Sequence, residues 1–505
     1  MRAGLFSLGL LLVSRLLGLA RESSLAAAFG ASGIGDAVIV MFTLPDLLVG
    51  VLVSGALAYV LLPAWAVQPA GQKDNTSSRL TLVLTLAGLA IGALVWVFRD
   101  ALVAALAPGL SGSLAALAAA SLGYSATTLP LAMVAALWAT RLQHERDFVG
   151  MYAGNVVVNL ILVIGLLAVG GGLWAFRVNS MNVIHTLGGC LVMAMVCRLL
   201  WLGWRLRKAN KHSEALAFDD PFSGRFAAAL PPARQWLWAA LSSALVLLLP
   251  LVARSLVSQS GEGALASFNY AWKLIELPLL LAIQLVATIA FPAIAATAAD
   301  SPERQRALAI AFALAWNLAC AAVAVVAVFA WRLADLLFGW GSMTAAGIDV
   351  IAHWATIGVW SLLPQALIAV LLSVMAIAQR MRVAVLAYGI ALAALLAVGL
   401  AVPAQGEVVM LAIDLTLGAV AVVLVLTERR SIRGALHVGA LAGPLVVCVL
   451  LVLTKSIWLG SSLWIAIIVA VVYGVLVLGA GVVCSPALRK FAAQKLNRSY
   501  DPTSS

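Results

Sequence analysis

Apolar stretches of about 20 residues recur along this chain, and they constrain its fold more than any other feature. Each stretch is long enough to cross roughly 30 Å of hydrocarbon as a helix. Hydrophobic residues make up 64% of the sequence, whereas soluble domains contain about 45–50%. The sequence therefore predicts an all-α polytopic membrane protein with about 14 transmembrane helices. Their approximate limits are 4–28, 36–66, 79–98, 113–140, 149–169, 181–204, 235–258, 264–298, 306–330, 347–379, 383–401, 408–427, 435–454 and 461–484.

Lysine and arginine residues alternate between dense and sparse loops along these spans. Of the 31, 22 fall on one side of the membrane, and only Arg99, Arg177, Arg332 and Lys455 fall on the other. The remaining five lie within spans: Arg15, Arg21, Arg198, Arg254 and Lys273. Because cytoplasmic loops carry the basic excess, both termini are predicted to be cytoplasmic. The net charge of +11 is then explained by contact with anionic membrane lipids rather than nucleic acid.

A weak internal repeat divides the chain. The segment from Gly35 to Pro63 has a counterpart from Gly263 to Pro292, about 230 residues later. Because six spans separate the copies, they share one orientation and predict two six-helix lobes related by an axis along the membrane normal. The predicted divisions are an N-terminal lobe at 1–204, a basic cytoplasmic linker at 205–234, a C-terminal lobe at 235–427, and helices 13 and 14 with a cytoplasmic tail at 428–505.

Charged residues interrupt the first two spans. A charge at bilayer depth costs from a few kcal/mol upward, so these side chains are expected to face one another or a polar cavity. Pro45 and nearby glycines also break the regular backbone, which a membrane tolerates only where protein or a water-filled cavity supplies hydrogen bonds. The charged residues are Arg15, Arg21, Glu22, Asp36 and Asp46. The alternative is a pair of anchors whose charges reach the interfaces.

Arg15 and Glu22 share one face of the first helix, with Arg21 about 100° away from Glu22. Arginine suits phosphate because its planar guanidinium donates paired hydrogen bonds and stays charged. The alternative here is an internal ion pair between Arg15 and Glu22.

Lys273 and Glu276 form part of a polar stripe in the eighth span, which is predicted to face the cavity. The alternative is that these side chains satisfy one another's hydrogen bonds between packed helices. Arg254, near the outer end of the seventh span, is predicted either to turn toward the cavity or to snorkel. Arg198 is predicted to snorkel to the cytoplasmic surface.

No metal site or cofactor is predicted. Every cysteine lies in an apolar run without metal-type spacing, and the sequence contains no Walker motif. A membrane potential or an ion gradient is therefore the expected energy source.

The first two spans resemble the MurJ (MviN) family of lipid II flippases, within the multidrug/oligosaccharidyl-lipid/polysaccharide exporter superfamily. The segments that carry the resemblance are SRLLGLAR at 14–21, FGA at 29–31, GDA at 35–37, LP at 44–45, SGA at 54–56 and Pro63, followed by 270–273, Glu276, Pro278 and Pro292. The resemblance implies that Arg15, Arg21 and Asp36 are functional residues, and that Lys273 stands where the family has a cavity arginine. Val49 replaces one of the family's basic residues, and Asp46 stands where the family has asparagine.

The resemblance implies a monomeric inner-membrane flippase for a polyprenyl-pyrophosphate-linked sugar precursor, with peptidoglycan lipid II as the first expectation. The substrate site would comprise Arg15, Arg21, Glu22, Asp36, Lys273, Glu276 and Arg254, with Arg254 partly replacing the missing cation at Val49. The alternatives are a flippase for another undecaprenyl-linked precursor and a cation-coupled multidrug exporter of the same superfamily. A membrane glycosyltransferase is disfavoured because the outward loops are short and carry no catalytic acid or histidine cluster.

The charge asymmetry makes a topology prediction that labelling can check. In a variant lacking all five native cysteines, Ser213→Cys should react only with reagent delivered to the cytoplasm. Ser113→Cys should react with a membrane-impermeant reagent added from the periplasm. Periplasmic labelling at position 213 would contradict the predicted orientation.

Overall fold

The fold is that of a computed structural model, which describes residues 2–52, 57–68, 70–170, 180–214, 233–283, 301–378, 380–402, 405–458 and 460–499, with the single residues 286, 290, 294 and 297. Every regular element within these ranges is a helix. The α-helices are α1 (Arg2–Phe29), α2 (Gly33–Val51), α3 (Leu57–Val67), α4 (Ala70–Val97), α5 (Arg99–Leu106), α6 (Gly112–His144), α7 (Phe148–Gly170), α8 (Ser180–Glu214), α9 (Ala233–Val257), α10 (Ala264–Pro278), α11 (Pro302–Phe338), α12 (Ala345–Gly358), α13 (Leu362–Ile377), α14 (Met381–Ala401), α15 (Gly406–Ile432), α16 (Val438–Leu453), α17 (Leu463–Cys484) and α18 (Pro486–Ser499).

The described helices agree with a multi-pass membrane protein, while the exact number of fourteen spans stays a prediction. In the described part of the chain, 11 helical segments are long and apolar enough to cross a membrane, and Val438–Leu453 is a shorter apolar helix. A helix lies in each of the fourteen predicted spans. The prediction of an all-helical, multi-pass membrane protein is therefore confirmed. The side of the membrane on which the termini lie stays a prediction.

A proline inside α2 leaves a backbone group that α6 satisfies. Pro45 has no N–H, so the carbonyl of Met41, four residues earlier, loses its helical donor. The hydroxyl of Ser125 donates to that carbonyl oxygen, and one turn away Ser121 Oγ donates to the carbonyl oxygen of Ala37 at 3.0 Å. Side chains of the protein thus replace the hydrogen bond that the irregular backbone lacks, as a membrane requires.

Small residues let α4 lie directly on α6 at a second proline. Gly88 and Gly92 are one turn apart on α4, the spacing of helix pairs that approach closely in membranes. A Cβ at Gly92 would lie 2.6 Å from the carbonyl oxygen of Ala126, and one at Gly88 would collide with Pro130. Pro130 frees the Ala126 carbonyl of its helical donor. The absence of two side chains on α4 therefore allows its backbone to approach the proline-distorted part of α6.

The chain forms two compact units. The first comprises Met1–Ala266 with Phe338–Thr344, and the second comprises Ser267–Leu337 with Ala345–Ser505. Within the first unit, α6 packs against α2, α4 and α8, and α1 packs along α7. The division falls inside α10, after the predicted linker. The lobe boundaries at 204, 235 and 427 stay a prediction, and residues 215–232 of the linker and most of 284–300, including Pro292, lie outside the described residues.

In the second unit, the last two spans pack against α11. Trp316 Nε1 donates to the carbonyl oxygen of Leu441 at 2.8 Å, and Asn317 Nδ2 donates to that of Leu478 at 3.1 Å. A cluster that includes Phe329 and Tyr473 adds apolar contact between α11 and α17. The predicted helices 13 and 14, which are α16 and α17, are therefore anchored to α11 by polar and apolar contacts.

The contact between α4 and α6 gives a stability prediction. Gly88→Leu should lower the thermal midpoint of the purified full chain in detergent, because overpacking a close contact costs about 1–3 kcal/mol. Gly189→Leu on α8 is the matched control, since a Cβ there meets nothing within 4 Å and the midpoint should stay near that of the parent protein. Equal shifts in the two variants would contradict this account of the helix contact.

Candidate functional site

The side chain of Arg21 is the centre of a polar cluster in the first unit. Its guanidinium donates to Glu22 Oε1 at 2.8 Å and to Asp46 Oδ2 at 3.0 Å, and it lies over the ring of Phe42, 5.2 Å from the centroid. The Arg21 side chain is only 12% exposed, whereas that of Asp46 is 52% exposed. The Arg21 cation is therefore largely buried, whereas its partner Asp46 is half exposed.

Arg15 occupies a different environment, six residues earlier on α1. Its side chain is exposed and makes no ion pair among the described residues. The alternative of an Arg15–Glu22 pair is wrong, because Glu22 bonds Arg21. Arg15 acts electrostatically on Tyr152 of α7, which agrees with the packing of α1 along α7. Its cation is therefore free of the carboxylates that hold Arg21.

Asp36 lies outside the Arg21 cluster and bonds to the backbone at the start of another helix. The residue is 1% exposed, and its carboxylate accepts hydrogen bonds from the backbone N–H groups of Gly263 at 2.9 Å and Ala266 at 2.7 Å. These N–H groups lie at the start of α10, where a helix has unsatisfied donors and favours negative charge. In return, Glu262 Oε1 accepts from the N–H of Gly33 at the start of α2, at 3.2 Å.

The two helix starts therefore cap each other. Gly263 has a φ of +77°, and a Cβ there would collide with the carbonyl oxygen of Ala31, so only glycine fits. The segment Phe338–Thr344 closes the same end of the unit, since the Trp340 indole N–H donates to Ser23 Oγ at 2.9 Å. The sequence repeat that aligns Gly35 with Gly263 is thus seen as a contact between the paired segments.

Arg254 points toward α2. One of its terminal nitrogens donates to Thr43 Oγ1 at 2.9 Å, and Thr43 is itself buried on α2. Thr43 and Asp46 are three residues apart on α2, so Arg254 and Arg21 bond to consecutive turns of this helix. This inward direction agrees with the predicted turn of Arg254 away from lipid, while a contact with substrate stays a prediction.

Arg198 corrects the prediction of a snorkelling side chain. The residue is 4% exposed, so its charged end does not reach the surface. Asp46 is the carboxylate that acts electrostatically on it. No sequence pattern indicated that Arg198 and Asp46 lie near each other. The two residues are some 150 positions apart in the sequence. The only sequence signal for a role of this kind was that Asp46 stands at a position where the family has asparagine.

The second unit holds the other predicted site residues. Lys273 Nζ donates to Glu276 Oε2 at 2.6 Å, and both side chains are 28% exposed. This i, i+3 pair compensates the ammonium charge within α10. The predicted convergence of Lys273 with Arg15 and Arg21 stays a prediction. In the described part of the chain, no three His, Cys, Asp or Glu side chains come together in a way that could hold a metal ion.

Comparison with known proteins identifies the family. The model of the family "Lipid II flippase MurJ" matches residues 25–479. The chain belongs to this family. A probable lipid II flippase MurJ from Rickettsia prowazekii (strain Madrid E) is 23% identical over 298 residues, which are 58% of this chain and 56% of that protein. The match therefore spans little more than half the length of this curated relative.

Solved structures share the fold along most of the chain. A lipid II flippase MurJ in an inward closed conformation superposes with a TM-score of 0.74 at 14% identity, covering 97% of this chain and 99% of that one. An inward-facing multidrug resistance transporter of the MATE family has a TM-score of 0.64 at 14% identity, with 84% and 95% covered. A transporter of the MOP superfamily from Pyrococcus furiosus has a TM-score of 0.61 at 17% identity, covering 85% of this chain and 94% of that one.

The reciprocal caps generate a prediction about Asp36. Asp36→Ala would leave two buried backbone N–H groups without their acceptor, at a cost of about 1–3 kcal/mol, and should lower the thermal midpoint of the full chain. Asp36→Asn keeps one acceptor oxygen and should have a smaller effect. Asp100→Ala is the control, because Asp100 is exposed in the first turn of α5. If Asp36→Ala and Asp100→Ala shift the midpoint equally, the carboxylate does not hold the two helix starts.

Proposed function

We propose that the protein is a flippase that moves a polyprenyl-pyrophosphate-linked sugar precursor, peptidoglycan lipid II, from the cytoplasmic to the periplasmic leaflet of the bacterial inner membrane. The observation that carries the proposal is the family match over residues 25–479. The arginines of the first unit support it, because their chemistry suits an anionic headgroup. In this proposal the protein works as a monomer, with both termini in the cytoplasm.

The pyrophosphate would bind first at the exposed cation of α1, outside the Arg21 cluster. Arg15 is exposed, and Arg21 lies six residues along the same helix. Guanidinium groups bind phosphate through short, charge-assisted hydrogen bonds that are about twice as strong as neutral ones. Asp46, which is half exposed and bonded to Arg21, neutralises that cation until the headgroup arrives. The polyprenyl chain would remain in the bilayer.

Alternating access driven by the membrane potential or an ion gradient would complete the cycle. An inside-negative potential favours outward movement of an anion by about 2.3 kcal/mol per charge for each 100 mV. Moving the headgroup together with protein cations would cancel part of this driving force.

A flippase for another undecaprenyl-linked precursor is the second candidate. Val49 stands where the resemblance places a basic residue, and Asp46 adds an acid to the same helix. Both changes make the first unit less positive and favour a less highly charged headgroup. A cation-coupled multidrug exporter fits the shared fold, but the exposed guanidinium of Arg15 would repel cationic drugs.

Complementation tests the proposed function most simply. The chain should restore growth to a bacterium depleted of its own lipid II flippase. Arg21→Ala should abolish the rescue, because the variant loses the cation that α2 holds in place. Lys273→Arg should retain the rescue, because the charge and the partner carboxylate are kept. Arg99→Ala is the control, since Arg99 only stacks on Trp96.

Transport by purified protein separates the two flippase candidates. In proteoliposomes, the parent protein should move lipid II faster than an undecaprenyl-linked precursor carrying a single phosphate. Rescue without this preference would favour the second candidate. Failure of the parent protein both to rescue growth and to move either lipid would contradict a flippase for this lipid class.

A further inference from the structure

Arg198 is a buried cation whose compensation is incomplete. The residue is 4% exposed, and its Nε atom is buried with no hydrogen-bond partner. No ion pair to Arg198 is present among the described residues. A buried charge of this kind costs several kcal/mol unless it is paired and hydrogen-bonded. An arginine that served only the fold would be expected to have such partners.

The position of Arg198 is fixed by the register of α8 on α7. Arg205 bonds Asp147 at the start of α7 at 2.6 and 2.8 Å, and Trp201 Nε1 donates to the carbonyl oxygen of Gly150 at 2.9 Å. Arg198 makes the next contact along this helix pair, because a Cβ added at Gly154 of α7 would lie 3.5 Å from Cγ of Arg198. At 1.5 Å per residue, Arg198 lies about 10 Å along the helix from the Arg205–Asp147 pair.

Arg198 lies on α8, a helix that contacts α2, which carries Asp46. Asp46 is half exposed, accepts a hydrogen bond from Arg21 and acts electrostatically on Arg198. Arg21 on α1 and Arg198 on α8 are therefore both associated with the same stretch of α2. Both guanidiniums have unused donors, since the Nε atoms of Arg21 and Arg198 are buried without a hydrogen-bond partner.

We propose that Arg198 is a further phosphate-binding residue, which acts with Arg21 to hold the two phosphates of the headgroup around the position of Asp46. This inference rests on the proposed function and concerns the same site. A pyrophosphate can contact both guanidiniums, whereas a monophosphate can contact fewer of their donors. Arg198 therefore sets the preference for pyrophosphate over monophosphate. It also supplies from α8 a cation that α2 lacks at Val49.

Binding to the full chain in lipid nanodiscs tests the proposal. The probes are undecaprenyl pyrophosphate, undecaprenyl monophosphate and undecaprenol. Arg198→Met should weaken binding of the pyrophosphate by about ten- to a hundredfold and binding of the monophosphate by less, while the thermal midpoint without ligand stays the same or rises. Arg198→Lys should retain more of the affinity because it keeps the charge. Arg205→Met is the matched control and should lower the midpoint without changing the preference for pyrophosphate.

Several results would overturn the inference. Unchanged pyrophosphate affinity in Arg198→Met would exclude a contact with the headgroup. A lowered midpoint with equal losses for all three probes would mean that Arg198 acts only through the fold, as would equal losses in the Met and Lys variants. If the parent protein binds undecaprenol as tightly as the pyrophosphate, the proposed function itself fails, which separates that outcome from failure at Arg198.

Discussion

The ion pair between Arg21 and Asp46 is the interaction on which the rest of the first unit's polar structure depends. It joins α1 to α2 inside apolar spans, where an isolated guanidinium would be too costly to bury. Thr43, one turn earlier on α2, receives Arg254, and Asp46 also acts on Arg198. A single stretch of α2 therefore organises cations from three other helices. Pro45 lies within this stretch, and α6 supplies the hydrogen bond that the proline removes.

Placing charges around one helix has a consequence for function. Without substrate, Arg21 is paired with the carboxylates of Glu22 and Asp46, and Arg254 donates to the hydroxyl of Thr43. Arg198 has no such partner among the described residues. Exchange of a carboxylate for a phosphate keeps the number of charge-assisted hydrogen bonds similar. For Arg21, binding and release of an anionic headgroup then exchange one acceptor for another, so this guanidinium is paired in both states.

Hydrophobic length and basic loops were sufficient to predict the helices, because each span must satisfy its own backbone. The sequence also placed Arg21 and Glu22 correctly among interacting charges. It did not reveal the partner of Asp36, because a carboxylate at a helix start bonds equally well to a ligand or to another helix's N–H groups. The repeat pairing Gly35 with Gly263 was the available signal for that contact. The prediction that Arg198 snorkels was wrong because its burial depends on how α8 packs on α7 at Gly154, which the sequence of α8 alone does not show.

The central claim is that the arginines gathered around α2 bind the phosphates of the headgroup. A cryo-EM structure of the full chain in nanodiscs with bound lipid II would test it most directly. We predict pyrophosphate density within hydrogen-bond distance of Arg21, about 2.7–2.9 Å between nitrogen and oxygen, with Asp46 displaced from the guanidinium. A headgroup bound elsewhere, while Arg21 keeps its bonds to Glu22 and Asp46, would contradict the account.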